Sequence, residues 1–247
     1  MSTAPPVSRE TGGPAPRLVA RARTLGVDLA PSAAAALVAL LDRIALEPQN
    51  LTAIEGLEEG IDRHLADSLA GLVLPEVAGA EAAVDVGSGA GFPGIALALA
   101  RPAMFVTLVE SEARKADWLC RASAGIPNLR VVADRSEHLA AAERETFPLA
   151  TIRALGPLPV SLELAAPLVA VGGAVVAWRG DDADPETEAA AARAAEVLGL
   201  EPCPPVAVTP FPGARRRLQA FHKVAPTPTR FPRRAGRAAT RPLGGRP

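Results

Sequence analysis

The chain has no tyrosine at all, two cysteines, two methionines and two lysines among its 247 residues. The missing phenol removes every mechanism that needs one. Cys120 and Cys203 stand alone, with no CxxC pair and no His-rich neighbour. That excludes a secreted disulfide scaffold and a Cys-based zinc site, and fits a reducing cytosol, so a cytoplasmic protein without metal is expected. The longest low-charge stretch, 154 to 178, is broken by Pro157, Pro159, Pro167, Gly172 and Gly173. It does not read as a membrane span. The opening MSTAPPVSRETGGPAP lacks the apolar core of a signal peptide.

What is present fits an ordinary globular chain. Hydrophobic residues make up 49% and charged residues 21%, enough at this length for one α/β domain with a small appendage. The formal net charge of −1 conceals an asymmetry. No acid follows Glu201, yet ten bases do: Arg215, Arg216, Arg217, Lys223, Arg230, Arg233, Arg234, Arg237, Arg241 and Arg246. An acidic body with a basic, acid-free end favours an anionic polymer, nucleic acid, over a merely solvated tail.

Four segments are expected. Residues 1–16 are Pro/Gly/Ser/Thr-rich and read as disordered; 17–78 read as a helical cap; 79–225 form the main domain; 226–247 form a basic Pro/Arg tail outside the sheet. Pro31-Ser32 marks the start of the second helix, and a further helix from about Glu58 to Leu74 carries His64, Asp67 and Ser68. From Ala82 strands and helices alternate: AAVDVGS, PGIALALA, MFVTLVE, SEARKADWLCRASAG, LRVVAD, LATIR, SLELAAPLV, GGAVVAW and ETEAAAARAAEVLGL. PVAVTP and RLQAFHKV close the series as strands. Such alternation predicts a parallel, doubly wound sheet with ligands at the carboxyl ends of its strands.

The most informative segment is Asp85-Val-Gly87-Ser-Gly89-Ala-Gly91-Phe92-Pro93-Gly94, between a strand and a helix. Its glycines allow a sharp turn and close approach of a ligand to the backbone. Glu110 ends the next strand, where an acid accepts the hydroxyls of a ribose. The window from Gly89 to Gly94 formally matches the dinucleotide pattern GxGxxG. Asp85, two residues before the first glycine, disfavours a pyrophosphate dianion but tolerates the cationic end of S-adenosylmethionine. A methyl donor is therefore favoured over a nicotinamide dinucleotide or an ordinary strand–helix turn.

The acceptor is narrowed by what is missing. The tetrapeptide (N/D)PP(Y/F) typical of adenine amino methylation is absent; Ile152-Arg153-Ala154-Leu155-Gly156-Pro157 stands there instead. Pro202-Cys203 is the Pro-Cys pair of pyrimidine C5 methylation, but lies far past that site's usual place. An atom that is already nucleophilic, such as guanine N7, is favoured because it needs no general base. His64 and Asp67 lie one helical turn apart on one face. A hydrogen-bond pair joining helix to domain is preferred to a catalytic dyad, and no catalytic residue is assigned.

Four segments together resemble the bacterial 16S ribosomal RNA guanine-N7 methyltransferase family, also called the glucose-inhibited division protein B family. They are Asn50-Leu51-Thr52-Ala53, His64-Leu-Ala-Asp67-Ser68-Leu69, Asp85 through Gly94, and the Pro/Arg ending from Thr227 to Leu243. The resemblance covers residues 35 to 243. It implies a class I S-adenosylmethionine-dependent methyltransferase, a Rossmann-like α/β fold with an N-terminal helical cap. It also implies 16S rRNA or the small ribosomal subunit as partner, guanine-527 as target, no membrane and a monomeric state. Donor contacts would be Gly87, Phe92, Ser136, Glu137 and Arg153, beside the Asp85, Gly89 and Glu110 already singled out. Phe92 would pack on the donor or guard the methyl, and Ser136 and Glu137 would meet the adenine. Departures are Arg179 for the family's lysine, Gln49 for Tyr or Val, and Glu110 where Asp is frequent. Rival readings are a non-catalytic RNA- or ribosome-binding protein on this scaffold, and a methyltransferase for another substrate.

Overall fold

In the computed structural model, residues 12–48, 51–54, 56–181 and 184–244 are described. Gln49, Asn50 and Arg246 lie outside them, as do residues 1–11 of the segment expected to be disordered. Residues 14–16 of that segment are helical rather than irregular. A helix begins at Pro14 and runs to Thr24, with proline in its first turn, where the missing N–H costs nothing. A second helix, Pro31–Ala45, starts the same way. Residues 57–73 form one continuous helical run in four pieces: Leu57–Gly60, a π-helical Ile61–Ala66, Asp67–Leu69 and a 3-10 turn, Ala70–Val73. A short helix, Pro75–Ala78, leads into the sheet.

The sheet has eight strands: β1 (Ala82–Val86), β2 (Phe105–Val109), β3 (Leu129–Val132), β4 (Phe147–Arg153), β5 (Val169–Gly180), β6 (Leu200–Pro202), β7 (Val206–Val208) and β8 (Arg216–Lys223). Their order is β3-β2-β1-β4-β5-β8-β6, with β7 also paired to β8. The first five are parallel, as the alternation predicts. The last strand corrects that expectation. β8 runs antiparallel to β5, β6 and β7, because it follows β7 with no intervening helix to carry the chain back. The three-residue β6 and the helix Ser136–Ala142 had no periodic signal long enough to read.

Two apolar clusters cover the two faces. One joins Leu18, Leu37, Leu41, Ile61, Leu65 and Leu69 of the helical cap to Leu97, Trp118, Leu119, Val176 and Trp178. Cap and sheet thus share a core. Trp178 lies so close over Gly71 that a Cβ there would come within 2.1 Å of its ring, and its indole N–H donates to the Asp67 carbonyl at 2.9 Å. The other cluster, around Val84, Leu162, Val175 and Phe221, includes Phe231 from the Pro/Arg ending.

That ending does not hang free. Arg144 donates to the carbonyls of Thr227, Pro228 and Phe231, Arg233 pairs with Glu163, and Arg193 donates to the Gly244 carbonyl. The buried Lys223 ammonium donates to Glu145, Ala166 and Thr227. Among the described residues no helix is long and apolar enough to cross a membrane.

Candidate donor and acceptor sites

β1 is flanked by β2 on one side and β4 on the other, so the strand order reverses there and a crevice opens at the carboxyl ends of β1 and β4. The glycine loop leaves β1 at this point. The N–H groups of Gly87 and Ser88 both donate to the Val109 carbonyl, at 2.9 and 3.1 Å. Gly87 has φ +71° and Gly89 φ +56°, a region that side-chain-bearing residues seldom adopt. At Gly87 an added Cβ would stand 2.3 Å from the Leu155 side chain. The space this glycine spares is therefore taken by the loop after β4, rather than left for a ligand. At Gly89 nothing lies closer than the Gly87 carbonyl, at 3.9 Å, and the ligand-side space is there.

Asp85 sits beneath the loop, 1% exposed. One carboxylate oxygen accepts from the Thr151 hydroxyl at 2.7 Å and the other from the Gly94 N–H at 3.2 Å. Burial pushes its pKa above the usual aspartate value, against the pull of these bonds. Its donors are thus the chain's own groups, and it fixes the start of the helix Gly94–Ala100 rather than facing the crevice. Glu110 is placed differently. Its two oxygens accept from the N–H groups of Gly89 and Glu112 at 2.9 and 2.8 Å. Each oxygen retains a lone pair.

Ser136 and Glu137 open the helix after β3, beside the end of β2. Burial opposes ionisation of Glu137, but N–H groups of Glu137 itself and Gly236, with the Arg135 guanidinium, hold its carboxyl below the usual glutamate range. The Gly236 contact, at 3.2 Å, brings the C-terminal segment to the rim of the site. Nothing in the local sequence signalled it.

Phe92 does not line an open pocket. It is 4% exposed, stacks on His64 with centroids 4.7 Å apart, and lies under the Arg153 guanidinium at 5.7 Å. It couples the loop to the helical cap. His64 in turn hydrogen-bonds the Thr52 hydroxyl at 2.9 Å. Burial first, then the Arg153 charge, lowers its pKa to about 4. Its ring is neutral at neutral pH.

Asp67 joins helix to domain, as expected, through partners that its local sequence did not show. It accepts from Arg153 at 3.0 Å and from Arg216 at 2.8 Å, the latter 149 residues away. Helix-to-domain bonding, rather than a His–Asp dyad, is what its carboxylate does. Beside it lies a cleft of about 440 Å³ bordered by Thr52, Arg63, His64, Arg153, Arg179 and Arg216. Arg179 is braced there by Glu188 and Gln219.

A crevice at the strand-order reversal, a glycine loop with a carboxylate closing the next strand, and an antiparallel strand beyond β5 define a class I S-adenosylmethionine-dependent methyltransferase fold. Solved structures show the same fold. A fibrillarin pre-rRNA processing protein of Methanococcus jannaschii superposes with a TM-score of 0.51 at 17% identity, over 65% of this chain and 74% of that one. A variant of a 16S rRNA (adenine(1408)-N(1))-methyltransferase from Catenulisporales acidiphilia gives 0.50 at 19%, over 61% and 89%. In sequence, the family model described as rRNA small subunit methyltransferase G, GidB, matches residues 33–203. Ribosomal RNA small subunit methyltransferase G of Chloroflexus aggregans is 43% identical over 201 residues, 78% of this chain and 82% of that protein. The Deinococcus radiodurans protein of the same name is 37% identical over 227 residues, 89% and 88%. The chain belongs to the rRNA small subunit methyltransferase G family.

Proposed function

We propose that this protein transfers a methyl group from S-adenosylmethionine to N7 of a guanine in 16S ribosomal RNA, acting as a cytoplasmic monomer on that RNA or on the small subunit. The observation that carries the reading is the arginine-lined cleft beside the glycine loop, in which His64 is held neutral with a pKa of about 4. Arg63, Arg153, Arg179 and Arg216 suit a polyanion. A base so weak is a poor proton acceptor at neutral pH, and guanine N7 carries a lone pair with no proton to remove.

The residues present fit the donor. Glu110 offers a lone pair on each oxygen to the ribose hydroxyls, Gly89 leaves its face of the loop open, and Ser136 and Glu137 stand where the adenine edge would lie. Asp85, Gly87 and Phe92 act one step back, by shaping and bracing the loop. When bound, the sulfonium supplies an activated methyl. The guanine N7 lone pair would accept that methyl without any proton to remove, so no residue of the chain need act as a base. Catalysis then rests on in-line positioning, to which the Asp67-held Arg153 contributes.

The test uses methyl-labelled donor with purified small subunits, naked 16S RNA and protein-only controls. N7-methylguanine makes the RNA chain cleavable after mild reduction, so primer extension maps it. One new stop at a guanine is expected. Label in protein, or in a base that leaves the chain uncleaved, would overturn the reading.

A further inference from the structure

At the end of the sheet away from the glycine loop, three side chains with metal-ligating chemistry converge from separate segments. Glu76 lies on the helix Pro75–Ala78 just before β1, Cys203 follows β6, and His222 lies on β8 opposite Ala174 near the start of the β4–β5 pairing. Their ligand atoms all lie within 4.8 Å of one another. On a tetrahedral zinc ion such atoms stand ~3.3–3.8 Å apart, given the usual bond lengths, so binding needs the wider pairs to close by about 1 Å and the His222–Glu76 pair to open slightly.

A plain histidine–glutamate hydrogen bond accounts for only part of this arrangement. His222 Nε2 meets Glu76 Oε1 at 2.8 Å, but Glu76 Oε2 is buried and has no hydrogen-bond partner. A buried carboxylate oxygen without a donor is costly, and a cation answers it directly. Glu201, the cross-strand neighbour of His222, adds negative charge nearby. The Cys203 N–H donates to the Ala220 carbonyl at 2.9 Å, which fixes the backbone that carries the thiol. Glu76 and His222 also border an open cleft of about 660 Å³, which gives a fourth ligand, water, access to the ion.

We propose that Glu76, Cys203 and His222 form a zinc-binding site that ties the segment before β1 to the antiparallel edge of the sheet. Sulfur, nitrogen and one carboxylate select zinc over magnesium or calcium, which prefer all-oxygen sets. Cys203 binds as thiolate, and its proton passes to solvent. The site reverses the expectation of no Cys-based zinc. That expectation rested on sequence spacing, and these ligands are up to 146 residues apart.

The test is independent of methyl transfer. The full chain, freed of metal by a chelator and kept reduced, is titrated with cobalt(II) as a spectroscopic probe and then with zinc. One equivalent of cobalt should give a thiolate-to-cobalt charge-transfer band that zinc abolishes, and zinc should raise the melting temperature. Cys120→Ser should keep the band. Cys203→Ser should lose it, and His222→Ala or Glu76→Gln should weaken zinc binding at least ~10-fold. Metal-free melting of each variant shows whether it folds, and Cys120→Ser reports on a fold with Cys203 intact. Absence of the band in the folded wild type, its survival in Cys203→Ser, or its loss in Cys120→Ser overturns the site.

Discussion

Glu110, just past the end of β2, accepts from two backbone N–H groups, those of Gly89 and Glu112. In the proposed donor complex it gains two ribose hydroxyls, and hydrogen bonds to a charged group contribute about 1.5–3 kcal/mol each. Glu110→Ala should therefore weaken donor binding at least ~10-fold by calorimetry while RNA affinity stays unchanged. Equal loss of both would mean that the loop itself had collapsed. His64 makes a different prediction. Its pKa falls from 6.5 to about 4 on folding, so the unfolded chain binds a proton between those values and the folded chain does not. Its contribution to stability is complete above pH 6.5 and is lost as the pH falls toward 4, by about 3 kcal/mol. Denaturant melts across that window should show the loss, and His64→Gln should flatten it. A slope unchanged in the variant would assign the acid sensitivity elsewhere.

Among the elements, the C-terminal segment is the one whose role changed most between sequence and structure. Its inner face is structural: Thr227, Phe231 and Ala238 are buried, and Gly236 reaches Glu137 at the proposed adenine end. Its outer face carries Arg230, Arg234, Arg237 and Arg241, all four exposed. Deleting residues 226–247 should thus lower the melting temperature and impair donor and RNA binding together. Replacing only those four arginines by glutamine should leave the melting temperature alone. It should reduce the salt slope of RNA binding by up to ~0.9 for each phosphate no longer neutralised, on the duplex-DNA scale. An unchanged slope would remove this face from the recognition surface. The helical run of residues 57–73 has a comparable double task. Its π-helical piece, Ile61–Ala66, widens the turn where His64 stacks on Phe92, and such bulges recur at functional sites.

On the scale of the whole molecule, cap and sheet are not separable by their packing, since Leu41, Ile61 and Leu65 share a cluster with Leu97 and Val176. Both tryptophans report on that junction. Trp178 covers Gly71, and Trp118 lies under the Arg43 guanidinium at 5.7 Å. Fluorescence and far-UV circular dichroism should consequently melt in one coincident transition. An earlier fluorescence change alone would show the cap undocking before the sheet unfolds.

Most of the elements, and the position of the glycine loop between them, were legible in the sequence alone. Alternating strand and helix periods placed β1 to β5, and Asp85 through Gly94 with Glu110 marked the crevice. These signals are local: burial on one face and φ-permissive glycine are written within a few residues of the group they position. Local spacing also put His64 and Asp67 on one helix face, but not what they would touch. The tertiary structure decided the partners. It gave Asp67 to Arg153 and Arg216, Phe92 to His64, Glu137 to Gly236 and the Gly87 space to Leu155. It also folded the arginine-rich end onto the sheet. Each of these pairings joins elements far apart in the chain, so it depends on strand order, register and the packing of two faces, none of which a single segment's periodicity encodes.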